Sequence, residues 1–89
     1  MKTITIEALN NSPLVITGRY PSKSFGQSLH GRIKHNGETF HFTYFQKLPE
    51  YADDELCRVT DNLQIDKWFR EGAKEVYDAI KPILAKLAA

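Results

Sequence analysis

The stretch Leu29–Tyr44, LHGRIKHNGETFHFTY, decides the fold because its centre fixes the geometry of a hairpin. Asn36 and Gly37 lie between two alternating segments, and both residue types tolerate the positive φ that a two-residue type I′ turn demands. With this turn His35 pairs with Glu38, and the rest of the register follows. One face of the predicted hairpin then carries Leu29, Ile33, Phe40, Phe42 and Tyr44. The other face carries polar and basic side chains, as a half-buried antiparallel pair requires.

Two further strands are predicted before this hairpin. Alternation around Ile4 and Ile6 indicates the first, and residues 14–20 form the second. The second strand directs three large side chains to one side: Leu14, Ile16 and Tyr20. Burial favours a register that pairs Ile6 with Ile16. Four consecutive strands with short connections predict an antiparallel meander.

The last third of the chain predicts a helix within residues 62–89. Its apolar residues recur at steps of three and four, which is typical of one buried helix face. They are Ile65, Phe69, Ala73, Val76, Ile80, Ile83 and Leu87. We interpret Trp68 as a core residue at the start of this helix, with Asp61 or Asp66 as its cap. Pro82 is expected to kink or split the helix, because proline lacks a backbone donor.

These elements predict one α+β domain over residues 1–89, since a shorter piece would struggle to bury enough surface. Residues 1–47 form the meander, 48–61 an acidic connecting loop, and 62–89 the helix, kinked near Pro82. The apolar face of the predicted helix covers the apolar face of the sheet, which gives two layers. Periodicity leaves open whether residues 56–60 add a fifth strand or one helical turn.

The charge of the chain is balanced in total and uneven along its length. The formal net charge of +1, with 42% hydrophobic and 26% charged residues, is ordinary for a globular protein and provides no bulk attraction to nucleic acid or anionic membranes. Residues 18–47 carry Arg19, Lys23, Arg32, Lys34 and Lys47 against Glu38 alone. Residues 48–61 reverse the sign, with Glu50, Asp53, Asp54, Glu55 and Asp61 against Arg58.

The compartment is expected to be cytoplasmic. Cys57 is the one cysteine, so no internal disulfide forms, and an inert buried thiol is its predicted role. The alternating N-terminus has no apolar core of a signal peptide. No apolar run approaches the ~20 residues that span a bilayer. We therefore expect a soluble protein without membrane association.

Enzymatic chemistry is not predicted. His30 and His41 are expected to be diagonal neighbours on the polar face, but a zinc site needs a third and usually a fourth ligand. Neighbouring exposed carboxylates, Asp53, Asp54 and Glu55, lack the burial that separates acid and base pKa values. No glycine-rich phosphate loop occurs. The expectation is therefore no catalytic site, no metal and no cofactor.

The favoured function is a small binding module that acts by protein–protein contact. Its small size suggests an inhibitor or adaptor, for instance one from a phage or mobile element that blocks a host defence complex. The alternative is nucleic-acid binding through the basic polar face. Against it, Phe45 is the one aromatic residue expected on that side for base stacking. The uncovered face can also pair with a second copy in a homodimer.

Candidate partner-binding residues fall into two groups. The basic group is His30, Arg32, Lys34 and His41, with Arg19 and Lys23 expected nearby. The other group lies in loops and consists of Phe25, Tyr51, Asp53, Asp54 and Glu55. Phe25 and Trp68 are candidate anchors, because aromatic residues dominate binding hot spots, although a core position is the favoured interpretation of Trp68.

Overall fold

The structure, a computed structural model, describes residues 2–23, 25–47 and 61–88. Its strands are β1 (Lys2–Ile6), β2 (Ser12–Ser22), β3 (Gly26–His35), β4 (Glu38–Phe45) and β5 (Leu63–Ile65), and its helix is α1 (Ala73–Ala88). A short 3-10 helix, Glu7–Leu9, joins β1 to β2. The strands form one antiparallel five-stranded sheet in the order β1-β2-β3-β4-β5. The predicted two-layer α+β meander is confirmed.

The hairpin register of β3 and β4 is also confirmed. Asn36 and Gly37 have φ angles of 52° and 78°, as a type I′ turn requires. His35 lies opposite Glu38, and the pairing continues without interruption to Ser28 and Phe45. The turn chemistry and the alternating burial therefore specify the same pairing.

The core lies between one sheet face and α1. Its fully buried large side chains are Leu14, Leu29, Ile33 and Phe40 from the sheet and Val76, Ile80 and Leu84 from the helix. Each such side chain contributes about 1.5–3 kcal/mol through burial alone. This layer fixes which face of the sheet is interior and leaves the opposite face for other uses.

The predicted pairing of β1 with β2 is wrong. Ile4 lies opposite Leu14 and Ile6 opposite Ser12, instead of Ile6 opposite Ile16. The 3-10 turn shortens β1, and the connection then reverses through Asn10 and Asn11, whose φ angles are 55° and 61°. Because the reversal comes so soon, β1 meets an earlier part of β2.

The predicted side of Tyr20 is wrong as well. The register of β2 against β3 shifts between Ile16 and Gly18, which is a β-bulge. The extra residue reverses the alternation, so Tyr20 points away from the core and is 55% exposed. A Cβ at Gly18 would lie 2.6 Å from the Tyr20 ring, so glycine makes room for that ring on the sheet.

The C-terminal third differs most from the prediction. Residues 63–65 form β5 beside β4, and the helix begins at Ala73 rather than near residue 62. Lys67 and Gly72 have positive φ angles of 51° and 88°, which end any helical continuation between them. Asp61 and Asp66 precede α1 by several residues and do not cap it.

Pro82 lies inside α1, and the helix continues through it without a break. A split of the helix at this position is therefore wrong, and the predicted kink near Pro82 stays a prediction. The proposed fifth strand at residues 56–60 lies outside the described residues.

Candidate functional site

The sheet face turned away from α1, here called the outer face, collects most of the predicted basic group. It carries Tyr20 on β2, His30, Arg32 and Lys34 on β3, and His41, Thr43 and Phe45 on β4. His30 lies opposite Thr43 and Arg32 opposite His41, so the two histidines are diagonal neighbours, as expected. Alternation along β3 and β4 places their side chains together, and the bulge in β2 adds Tyr20.

His30 is the centre of a small contact group on this face. Its ring meets the Tyr20 ring edge-on, with centroids 5.0 Å apart and planes at 79°. Its Nε2 lies 3.3 Å from Ser28 Oγ, and its Nδ1 lies 3.5 Å from Thr43 Oγ1. Hydroxyls donate or accept, so either neutral tautomer of His30 finds partners. The imidazole is therefore held in place as a half-buried part of the surface.

Beside His30 the outer face has a polar recess of about 410 Å³. Its side chains include Thr17, His30, His41, Thr43, Gln64 and Asp66. Asp66 Oδ1 accepts a hydrogen bond from the backbone N–H of His41 at 2.8 Å. His41 and Gln64 are exposed and direct donors and acceptors toward solvent. The recess can thus hydrogen-bond a planar polar ligand.

Two basic residues of β3 lie at one end of the outer face, and a pair of aromatic rings lies at the other. Arg32 and Lys34 are exposed toward the Asn36–Gly37 turn and form no ion pair with another described residue. At the other end the rings of Phe25 and Phe45 lie 4.7 Å apart. Lys23 is exposed at that end, in the turn between β2 and β3.

Arg19 does not join the basic group, contrary to expectation. The bulge places it opposite Leu29, on the helix side of the sheet. Its Nη1 donates to Gln27 Oε1 and its Nη2 to the Leu87 carbonyl oxygen, both at 2.9 Å. The guanidinium thereby satisfies a carbonyl at the C-terminal end of α1, where a cation is favoured. Its role is structural.

Tyr51, Asp53, Asp54, Glu55 and Cys57 lie outside the described residues, so their predicted roles stay predictions.

His35 is only 6% exposed, and its Nε2 lies 3.2 Å from Glu75 Oε2 rather than bonding its cross-strand neighbour Glu38. Glu38 instead pairs with Lys67, at 3.2 Å between Oε1 and Nζ. His35 therefore ties the hairpin to the first turn of α1.

Residues 66–72 join β5 to α1 and are here called the aromatic loop, whereas the sequence predicted a helix over this segment. Trp68 and Phe69 are 77% and 70% exposed, so the expectation of a buried Trp68 is wrong. Their rings lie 6.3 Å apart at 79°, and the Arg70 guanidinium lies 5.7 Å from the centre of the Phe69 ring. The one available signal was Gly72, a helix-breaking residue within the supposed stripe.

An apolar groove of about 410 Å³ adjoins the aromatic loop. The side chains of Leu63, Ile65, Trp68, Ala73 and Tyr77 line it. It runs between β5 and the start of α1, so the exposed Trp68 forms one wall of a concave apolar surface.

A polar cluster, here called the helix clamp, holds residue 61 to α1. Tyr77 donates its hydroxyl hydrogen to Asp61 Oδ2, and Lys81 Nζ donates to Asp61 Oδ1 at 2.8 Å. The hydrogen bond from Lys81, then that from Tyr77, lowers the pKa of Asp61 below its usual range. Burial raises the pKa of Tyr77, and the bond to Asp61 raises the pKa of Lys81. Tyr77 stays a neutral donor, which suits an anchor.

Within residues 2–23, 25–47 and 61–88, no three of the side chains His, Cys, Asp and Glu lie close enough to share a metal ion. In the same part of the chain, no helix is long and apolar enough to cross a membrane. Comparison with protein-family models, with curated proteins and with solved structures finds no match for this chain.

Proposed function

We propose that this protein is a non-enzymatic binding module that recognises a protein partner through the aromatic loop. The observation that carries the proposal is the exposure of Trp68 and Phe69, 77% and 70%, beside an apolar groove. Large aromatic side chains exposed side by side to water are unfavourable, and a partner that covers them removes this apolar surface from water and gains binding free energy.

The composition of the loop fits a binding hot spot. Tryptophan, tyrosine and arginine are the residue types enriched at such positions, and the loop presents Trp68 next to Phe69 and Arg70. The partner we infer is a protein with an apolar side chain that enters the groove against Trp68. An inhibitor or adaptor that covers a surface of its partner in the cytoplasm, such as a phage protein directed at a host defence complex, is the form of this function that the small size suggests.

The test compares capture of partners by the tagged wild-type protein and by a Trp68→Ser, Phe69→Ser variant. Both side chains are largely exposed, so the variant is expected to fold with unchanged stability. A matched control is Ala85→Ser with Lys86→Ser, two exposed positions near the other end of α1.

The expected result is one partner that binds the wild type and the control in stoichiometric amounts and is reduced at least about tenfold with the aromatic-loop variant. Equal recovery by all three proteins would overturn the proposal, as would the recovery of no partner from lysate of the natural host.

A further inference from the structure

We propose that the outer face binds single-stranded nucleic acid, with bases on Tyr20 and in the polar recess and with phosphates against Arg32 and Lys34. This inference does not depend on the aromatic loop. It rests on the position of Tyr20 on the outer face, which the bulge in β2 produces and which simple alternation does not predict.

The length of the outer face suits a short stretch of nucleic acid. The outer-face positions of β3 run from Ser28 through His30 and Arg32 to Lys34. A strand advances about 3.3 Å per residue, so this row is about 20 Å long. That length accommodates a few nucleotides, the lower end of the range bound by single-strand-binding sheets. The row is exposed at Arg32 and Lys34, half-buried at His30 and buried at Ser28, and α1 packs on the opposite side of the sheet.

The outer face provides an aromatic ring on which a base can stack. Base stacking needs an exposed aromatic ring, and the alternating pattern alone places Phe45 as the sole candidate on this face. The bulge between Ile16 and Gly18 adds Tyr20, which is 55% exposed. Gly18 leaves space for the ring above the strand, and the edge-on contact with His30 fixes its orientation. Tyr20 is therefore a supported platform beside the recess.

The polar recess offers the groups that read a base edge. Gln64 presents an amide with both donors and an acceptor, and His41 presents an exposed imidazole. A nucleobase is a planar ligand with donors and acceptors along its edge, and side-chain amides pair with such edges well. The volume of about 410 Å³ is ample for one base.

The outer face also presents cations to the phosphates of a bound strand. Arg32 and Lys34 follow His30 along the same row, about one and two nucleotide-sized steps from the recess. Neither forms an ion pair with another described residue, so both cations are available to phosphates. A duplex keeps its bases stacked inside and cannot place one on Tyr20. The combination therefore favours a single strand over a duplex.

The experiment measures fluorescence anisotropy of labelled oligothymidine, oligouridine and a DNA duplex, each about 12 nucleotides or base pairs long. We expect the wild type to bind the single strands more tightly than the duplex and to lose affinity steeply between about 50 and about 200 mM salt. No anisotropy change with any probe at the low salt concentration would overturn the proposal, as would equal affinity for the duplex.

Charge variants locate the phosphate contacts. Arg32→Gln with Lys34→Gln is expected to weaken binding and to reduce the salt slope by roughly 0.7 for each lost contact. The control is Lys2→Gln with Lys86→Gln, exposed cations on the helix side that lower the net charge equally. Equal weakening by the two double variants would show a diffuse charge effect and would overturn the assignment to the outer face.

Tyr20 variants test the stacking platform. Tyr20→Ala is expected to lose about tenfold in affinity, and Tyr20→Phe to keep wild-type affinity because the ring remains. Wild-type affinity for Tyr20→Ala would overturn the stacking role. Should a variant fail to fold, amide chemical shifts of the wild type on titration with oligothymidine give the same information. They are expected to change at Tyr20, His30 and Gln64, and changes confined to α1 would contradict the proposal.

Discussion

Gly31 and Gly37 belong to the same hairpin and exclude a side chain for different reasons. Gly37 has a φ of 78° and nothing within 4 Å of an added Cβ, so only backbone strain opposes a larger residue. Gly31 has no positive φ, but an added Cβ would lie 2.1 Å from the Val15 carbonyl oxygen and 2.6 Å from the Phe42 ring. Backbone atoms of a neighbouring strand cannot yield as a side chain can.

We therefore expect Gly31→Ala to destabilise more than Gly37→Ala. The turn variant should cost roughly 1–2 kcal/mol, the strain of a left-handed residue other than glycine. The strand variant should cost at least about 3 kcal/mol, because β2 and β3 must separate. Urea unfolding followed by far-UV circular dichroism measures both. A larger loss for Gly37→Ala would contradict the packing described for Phe42.

The helix clamp makes stability depend on pH at residue 61. The folded-state pKa of Asp61 lies below its unfolded value of about 3.8, so its contribution is present above that value and lost as pH falls through the folded pKa. Lys81 and Tyr77 have raised pKa values, so their contributions are present below their unfolded values of 10.5 and 10.0 and lost as pH rises through the folded ones. The helix clamp therefore stabilises the protein less at both low and high pH.

Asp61→Asn is expected to cost about 1 kcal/mol at neutral pH, a small value because the pair is partly exposed. The difference from wild type should shrink at about pH 3, below the unfolded value of 3.8, because the unfolded chain then binds a proton that folded Asp61 takes up only at lower pH. Urea titrations at both pH values measure it. The control, Asp78→Asn, removes an exposed carboxylate on the same helix and should change little at either pH. A difference that grows in acid would contradict the direction of the Asp61 pKa.

At the scale of elements, Pro82 limits the stability of α1. Proline lacks the backbone N–H that would donate to the residue 78 carbonyl, and its ring crowds that carbonyl. The Pro82 side chain is exposed, so replacement by alanine loses no core contact. We expect Pro82→Ala to stabilise the protein by about 1–3 kcal/mol, reduced somewhat by the greater freedom of the unfolded chain. Thermal unfolding should show a higher midpoint.

The control for this prediction is Ala85→Gly, an exposed position of the same helix. It is expected to cost about 1 kcal/mol, which calibrates how far helix propensity affects global stability here. A stability loss for Pro82→Ala, together with the expected loss for Ala85→Gly, would show that the proline ring contributes packing.

Elements were predictable from sequence where local chemistry and burial agreed. Asn36 and Gly37 fix a turn, and the alternation on either side permits one register, so every pair of β3 and β4 follows. The pairing of β1 was not predictable, because a 3-10 turn cannot be distinguished from the end of a strand by alternation. The helix start was missed because Ile65 and Phe69 fall by coincidence on the spacing of the true helix.

At the scale of the whole molecule, the basic half of the outer face was predictable and its aromatic half was not. His30, Arg32 and Lys34 follow from alternation alone, once the apolar side is assigned to the core. Tyr20 depends on a bulge whose one sequence signal is Gly18, a glycine inside a strand. Trp68 depends on where α1 begins. Both residues sit where a regular period is interrupted.

The outer face also bears on self-association, because no second layer among the described residues covers it. In a two-fold pairing each patch meets its own copy, so Arg32 and Lys34 of one protomer would approach the basic row of the other. Like charges opposed across strands are destabilising, and they repel most strongly at low salt. We therefore expect a monomer of 10.2 kDa by light scattering at low ionic strength. A dimer at low salt would contradict this, and a dimer that Arg32→Gln with Lys34→Gln leaves intact would show that pairing proceeds through a surface other than the outer face.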